Sequence, residues 1–157
     1  MMKSRHLLYA LLTLLIVSCR TVNHPTVNLE SLKPSYRDVL ARLDWGTDTT
    51  FVYGHKTPDV DAVTSALSYA SLMRALGYNC KAKVSTPTNR ETAYISHRLG
   101  FALPELKSSV AAGTRLILTD HSDYAQCVDG AKEARILQKI DHHIEGDIAD
   151  ARIPYVR

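Results

Sequence analysis

Cysteine is scarce in this chain, and its three occurrences exclude two classes of small protein. Cys19, Cys80 and Cys127 lie far apart in 157 residues. They form neither the paired knuckles of a structural zinc site nor the dense framework of a disulfide-stapled domain. Cys80 and Cys127 either pair with each other or lie as two buried thiols, and no function rests on them. Long apolar runs are missing too. The stretch at residues 7–17 has 11 residues, too few to span a bilayer as a helix. Neither sign of charge is in excess: 19 Lys+Arg face 16 Asp+Glu for a net +3, and without Lys3 and Arg5 the balance falls to +1. That near-neutrality removes the electrostatic case for nucleic acid as a partner. No internal repeat or low-complexity tract occurs. What is present, 45% hydrophobic and 22% charged residues, suits one globular domain with a core of its own.

The N-terminus has three parts. Lys3 and Arg5 make a basic start, residues 7–17 an apolar stretch, and Ile16-Val17-Ser18-Cys19 puts a small residue directly before a cysteine. A basic start with a short apolar stretch is the pattern of a secretory signal. Its close resembles the bacterial lipoprotein cleavage box, which implies removal of residues 1–18 and lipid on Cys19. The expected address is then the cell envelope, the chain being exported and held at the membrane by its lipid. It is the cytoplasm if the signal is not used. A plain signal peptide and a membrane-buried helix end are the other readings of these residues. Residues 19–45 read as a tether with a short helix. Asn23, Pro25, Asn28 and Pro34 interrupt regular structure, and Val39, Leu40 and Leu43 are spaced for one apolar helical face.

From residue 46 to 157, strand and helix signals alternate. This predicts an α/β domain, a mostly parallel sheet flanked by helices on both faces. Residues 50–53 form a short apolar β-rich run after a turn at 46–49. Residues 60–76 carry Val63, Ala66, Leu67, Ala70 and Met73 at helical spacing, with Gly77 as the stop. Residues 81–85 alternate like a strand. Thr88-Asn89-Arg90-Glu91 is a capping-box pattern for a helix that runs to Leu99 and ends at Gly100. Residues 115–119 are a buried strand, 124–134 a weaker helix interrupted at Gly130, and 135–140 another strand.

The residues with metal chemistry fall where these strands end. His55, Asp59 and Asp61 follow the first strand, Asp120 the third, and Asp141-His142-His143 the fourth. Ligands of parallel sheets gather at the carboxyl ends of strands, and imidazole mixed with carboxylate suits a divalent transition ion. Each piece has a plainer alternative. Asp59 or Asp61 can cap the following helix, Pro58-Asp59 can be ordinary turn chemistry, and the His-His pair can be a surface accident. None of these alternatives explains why three separate segments converge on one edge.

In this order and spacing, His55-x-x-x-Asp59-x-Asp61, Asp120 within Leu118-Thr119-Asp120-His121, and Asp141-His142-His143 resemble the motifs of the DHH phosphoesterase superfamily. The wording of residues 54–62, Asn89-x-Glu91-Thr92 and Pro154-Tyr155-Val156-Arg157 is most similar to the manganese-dependent (family II) inorganic pyrophosphatases. The resemblance implies a Rossmann-like DHH domain holding two Mn2+ ions, with Co2+ or Mg2+ as substitutes. It implies that His55, Asp59 and Asp120 hold one ion and that Asp61, Asp120 and His142 hold the other, with Asp120 as bridge. His143 would contact substrate phosphate or assist proton transfer, and Asp141 would orient the histidines. The implied reaction is hydrolysis of diphosphate to two phosphates by a metal-activated water. No role is implied for His121.

The family pattern continues with a further aspartate ligand and a second domain whose lysines and arginines clamp diphosphate. Asp147 and Asp150 do not match that ligand's place. The resemblance therefore implies that residues 46–157 are an incomplete catalytic domain, truncated before the C-terminal domain, which another chain would supply. It implies poor hydrolysis by the chain alone. Two other functions stay open: a DHH phosphodiesterase on small nucleotides, and a membrane-tethered protein that binds metal or phosphate without turnover. For the leader, metabolic labelling with radioactive lipid should mark the chain in a bacterial host and should fail for Cys19→Ala. Recovery of the unlabelled chain only in the soluble cytoplasm would contradict the anchor.

Overall fold

The structure, a computed structural model, describes residues 34–149 and the short strand at 153–154. The expected leader, the lipidation site Cys19, most of the tether and Tyr155-Val156-Arg157 lie outside the described residues. Among the described residues no helix is long and apolar enough to cross a membrane.

Helix α1 (Pro34–Ala41) opens on a proline, which fits a first turn because that N–H has no helical partner in any case. Strands β1 (Thr50–Tyr53), β2 (Cys80–Val84), β3 (Glu105–Leu106), β4 (Arg115–Thr119), β5 (Arg135–Ile140) and β6 (Ile153–Pro154) alternate with α2 (Val60–Ala75) and α3 (Arg90–Leu99). All strands pair in parallel, in the spatial order β3-β2-β1-β4-β5-β6. The chain leaves β1 toward one edge and later returns to β4 on the other side of β1. At such a switch point the loops diverge and leave a crevice beyond the carboxyl ends of the strands.

One face of the sheet packs Val52, Cys80 and Ile117 against Leu40 of α1 and Ala66, Ala70 and Met73 of α2. The opposite face gathers Tyr53, Leu116, Leu118 and Ile136 with Val110, Cys127, Val128, Ala131 and Ile148. Among the described residues no α-helix contributes to that second cluster, so here loops provide the cover for which a helix was expected. The expected helix at 124–134 is a three-residue 3-10 turn, Tyr124–Gln126, followed by turns. The cause is local. Gly130 has φ = +87°, and a Cβ there would lie 2.2 Å from Val110 O. Ser109 and Asp129 form a parallel bridge, and the Val110 amide donates to Asp129 O at 2.9 Å. The segment is drawn into contact with the preceding loop instead of coiling. Cys80 and Cys127 are free, one in each cluster. Burial pushes their thiols up to about 11 and about 12, which makes both inert at neutral pH.

Three further expectations shift. Of the apolar face assigned to α1, Leu40 is buried but Val39 is 39% exposed, because a helix of two turns touches the sheet along one narrow line. Helix α3 is capped by Asn89, whose Oδ1 accepts from the Thr92 amide at 2.8 Å, so no box forms around Thr88; asparagine is the stronger cap. Strands β3 and β6 were not foreseen, since two-residue strands carry no readable period. At the β3 edge Glu105 pairs with Lys83 and feels Lys81 and Lys107. Charge of this kind discourages pairing with another chain.

Two irregularities shape the edge above the strands. Leu137 is an extra residue in β5, lying between the pairs Leu116–Ile136 and Ile117–Gln138. Such a bulge reverses the faces of the residues that follow. Gln138 joins the side of Ile117, where the Tyr69 hydroxyl bonds it, and Lys139 joins the side of Leu118. Gly54 ends β1 against the first turn of α2, where a Cβ would lie 2.4 Å from Ala62 O and 2.7 Å from Ala62 Cβ. Gly54→Ala should therefore destabilise the fold by about 1–3 kcal/mol, the usual cost of overpacking. Urea unfolding should show a lower midpoint at an unchanged slope; an unchanged midpoint would contradict the close approach.

Candidate metal centre

Strand β4 ends at Thr119, and the Asp120 amide adds one more rung by donating to Ile140 O at 2.8 Å. The chain then turns. Asp120 has φ = +63°, alone in positive φ among the described non-glycine residues. Aspartate visits this region more readily than most side chains, yet still at a cost of order 1 kcal/mol. The turn carries the carboxylate inward, to 6% exposure, at the switch point between β1 and β4. Burial, and then the neighbouring Asp61, push its pKa above the usual carboxylate range. A bound cation relieves a carboxylate held in this way.

The loop after β1 is pinned on both sides. The Lys56 amide donates to Gln126 O at 2.7 Å, and Thr86 Oγ1 donates to Lys56 O at 2.5 Å. His55 thereby stands over Asp120, its Nε2 3.5 Å from Asp120 Oδ2 and 3.6 Å from Asp59 Oδ1. Asp59 is also the N-cap of α2, since Oδ1 accepts from the Ala62 amide at 3.0 Å. The capping alternative is thus true of Asp59, and the cap itself aims the carboxylate at His55. Asp61 lies in the first turn of α2, where the helix dipole favours an acid. Its Oδ2 is 3.5 Å from His142 Nε2.

The loop after β5 brings the remaining groups. His142 Nε2 is 3.1 Å from Asp120 Oδ1, and His143 Nδ1 is 3.7 Å from the same oxygen. Asp141 Oδ1 takes the His143 ring Nδ1 at 2.8 Å and the His143 amide at 3.1 Å. Burial acts to raise the Asp141 carboxyl, but the neighbouring Ser122 hydroxyl and the hydrogen bonds from His143 hold it below its ordinary value. In return the bond to Asp141 raises the pKa of His143.

Two donor sets result, His55–Asp59–Asp120 and Asp120–His142–His143, the three atoms of each lying within 4.8 Å of one another. Asp120 turns Oδ2 to the first set and Oδ1 to the second. Mixed imidazole and carboxylate donors of this kind fit a divalent transition ion. The first set is the one the sequence suggested. In the second, His143 stands beside His142 where Asp61 was expected, and Asp61 reaches the set through its contact with His142.

His121 has a structural place. It is 2% exposed. A carbonyl only accepts, so Nδ1 donates to Thr119 O at 2.9 Å and Nε2 is left to accept from the Cys127 thiol at 3.3 Å. Both ring nitrogens are used, and burial lowers its pKa. Asp147 is likewise engaged, its Oδ1 accepting from the Tyr124 amide at 2.8 Å. Beside His55 and His143 lies a cavity of about 500 Å3 that also touches Ser122, Asp123, Gln126 and Glu145. Sequence reasoning singled out none of these four. The only signal for them was nearness to Asp120 and to the DHH triplet.

A family model described as the DHH family, N-terminal domain, matches residues 49–157. A protein of Deinococcus radiodurans named a probable manganese-dependent inorganic pyrophosphatase is 36% identical over 106 residues, 68% of this chain and 34% of that protein. The manganese-dependent inorganic pyrophosphatase of Methanothrix thermoacetophila is 40% identical over 102 residues, 64% of this chain and 32% of its own length. Among solved structures, a Methanococcus jannaschii protein assigned to the family II inorganic pyrophosphatases aligns with a TM-score of 0.60 at 33% identity, covering 68% of this chain and 33% of that one. The chain thus spans about one third of the length of the relatives it matches.

The shared carboxylate generates a prediction. An ionised acid whose folded pKa is raised opposes folding above that pKa, so Asp120→Asn should leave the metal-free chain as stable as the parent or more so. Asparagine also accepts the left-handed turn. With Co2+ at a hundred times its Kd, the parent should gain about 2.7 kcal/mol by linkage and the variant almost nothing. Thermal melts with and without Co2+ check both halves; a full metal-induced gain in the variant would contradict the shared-ligand geometry.

Proposed function

Because the chain belongs to the DHH family through its N-terminal domain, we propose that it provides the metal-binding part of a manganese-dependent hydrolase of inorganic diphosphate. The observation that carries the reading is the single buried carboxylate of Asp120, with His55 and Asp59 gathered at one of its oxygens and His142 and His143 at the other. The names of the relatives support manganese as the ion and diphosphate as the substrate.

In this reading His55, Asp59 and Asp120 hold one Mn2+, and Asp120, His142 and Asp61 hold the other. Such ions would supply an activated water and neutralise charge on a phosphoryl group. The chain's own residues do the rest. Asp141 orients His143 through Nδ1, and His143 faces the cavity, where it can donate to a phosphate oxygen or pass a proton. Its raised pKa suits a donor near neutral pH. Among the described residues lining the cavity none is Lys or Arg. Diphosphate therefore meets few positive side chains from this part of the molecule, and hydrolysis by the 157-residue chain alone should be slow. That same lining favours one second reading, metal and phosphate binding without turnover. The lipid anchor proposed for Cys19 would place either activity at the cell envelope.

The test is phosphate release from diphosphate by the purified chain with MnCl2, set against a dinucleotide substrate. The expected outcome is slow, Mn2+-dependent release of phosphate that falls at least about 10–100-fold in His55→Ala, the range typical of disturbed metal sites. Release that persists in His55→Ala, or cleavage of the dinucleotide in preference to diphosphate, would contradict the assignment. Mn2+ uptake without turnover would favour the binding reading.

A further inference from the structure

One buried hydroxyl connects the two loops that build the second donor set. Ser122 follows Asp120 by two residues and is 5% exposed. Its Oγ accepts from the Gly146 amide at 2.9 Å, and its carbonyl accepts from the Ile148 amide at 3.1 Å. Gly146 approaches so closely that a Cβ would lie 2.3 Å from Ser122 O. The segment after the DHH triplet is thus laid on the segment after β4 by two hydrogen bonds and one contact that only glycine permits. Asp147 adds its bond to the Tyr124 amide. From beneath, the ammonium of Lys139, whose side chain is 5% exposed, donates to Ile148 O at 2.7 Å and Glu145 Oε1 at 2.9 Å. The bulge at Leu137 is what turns Lys139 to that side.

A hydroxyl that accepts one hydrogen bond keeps its own proton to donate. Among the described residues Asp141 Oδ2 is buried without a hydrogen-bond partner, and Ser122 and Asp141 line the same cavity. The other oxygen, Oδ1, receives both the amide and the ring Nδ1 of His143. We propose that Ser122 is a positioning residue for the metal centre: its hydroxyl clasps Asp141 and Gly146 together, fixing the His142–His143 pair over Asp120. The ring of His143 is then held through Nδ1, which leaves Nε2 as its one polar atom for other partners. Ser122 does not touch metal or substrate; it acts through Asp141. This inference deepens the reading of the centre given above and rests on it.

The experiment is calorimetric titration of the full chain with MnCl2 for the parent, Ser122→Ala, Ser122→Thr and Asp147→Ala. In the parent, two binding events are expected. Ser122→Ala should weaken one of them by about 10–100-fold, as loss of a partner behind a ligand usually does, and leave the His55–Asp59 event unchanged. Ser122→Thr keeps the hydroxyl and should restore the weakened event. A parallel readout needs no metal. In the metal-free chain, amide exchange of His143 should quicken in Ser122→Ala, while that of Val63 in α2, bonded to Asp59 O, should not. Equal weakening of both events, or parent-like titration together with an unchanged His143 amide, would overturn the proposal. If Ser122→Ala does not fold, Asp147→Ala carries the test with a smaller loss at the same event, and parent-like binding there would overturn it. A parent that takes up no Mn2+ contradicts the proposed function, and the His143 amide then judges the clasp by itself.

Discussion

Where β4 gives out, the chain must turn within one residue, and Asp120 makes that turn at φ = +63° with its carboxylate carried inward. The backbone bond to Ile140 fixes how far the ladder runs before the turn, and therefore how deep the carboxylate sits. Every other site group is arranged around this one. His55 meets one of its oxygens and His142 the other, while Asp59 and Asp61 stand behind those histidines. Burial, and after it the negative charge of the neighbouring Asp61, is why Asp120 holds its proton more tightly than an ordinary aspartate. A carboxylate held in this way carries a cost that a bound cation would relieve.

The sheet makes that concentration of charge sustainable. Its strand order places β1 beside β4, so the loops carrying His55 and Asp120 leave adjacent strands in the same direction. Pinning bonds then remove the slack. Thr86 and Gln126 hold Lys56 from both sides, Gly54 lets β1 close against α2, and Ser65 and Thr119 link α2 to β4 through their hydroxyls at 3.2 Å. His121, buried between Thr119 O and Cys127, stiffens the turn from below. Function and folding meet in these bonds, since each both satisfies a polar group and orients a donor.

Much of this was legible in the sequence, and the exceptions are instructive. Strands β4 and β5 were bounded correctly because buried parallel strands read as continuous apolar or β-branched runs. Helix α2 was equally clear, from its 3.6-residue period and Gly77. The helix expected at 124–134 failed because Gly130 sits where another backbone crosses, a contact between distant segments that no local pattern records. Val39 was misplaced for a similar reason, since spacing gives a face and not its width. At the site, residue type and position after each strand singled out His55, Asp59, Asp61, Asp120, Asp141, His142 and His143 as candidates, and the fold gathers them at one edge. The left-handed turn at Asp120, the Gly146–Ser122 contact and the bulge at Leu137 were invisible. They are backbone facts decided by packing.

The central claim is that Asp120 is shared between two cations. Anomalous diffraction from crystals of the chain grown with MnCl2 tests it most directly. The account predicts two manganese peaks flanking the Asp120 carboxylate, one toward His55 and Asp59, the other toward His142. A single peak away from Asp120, or metal bound only at surface acids, would contradict it.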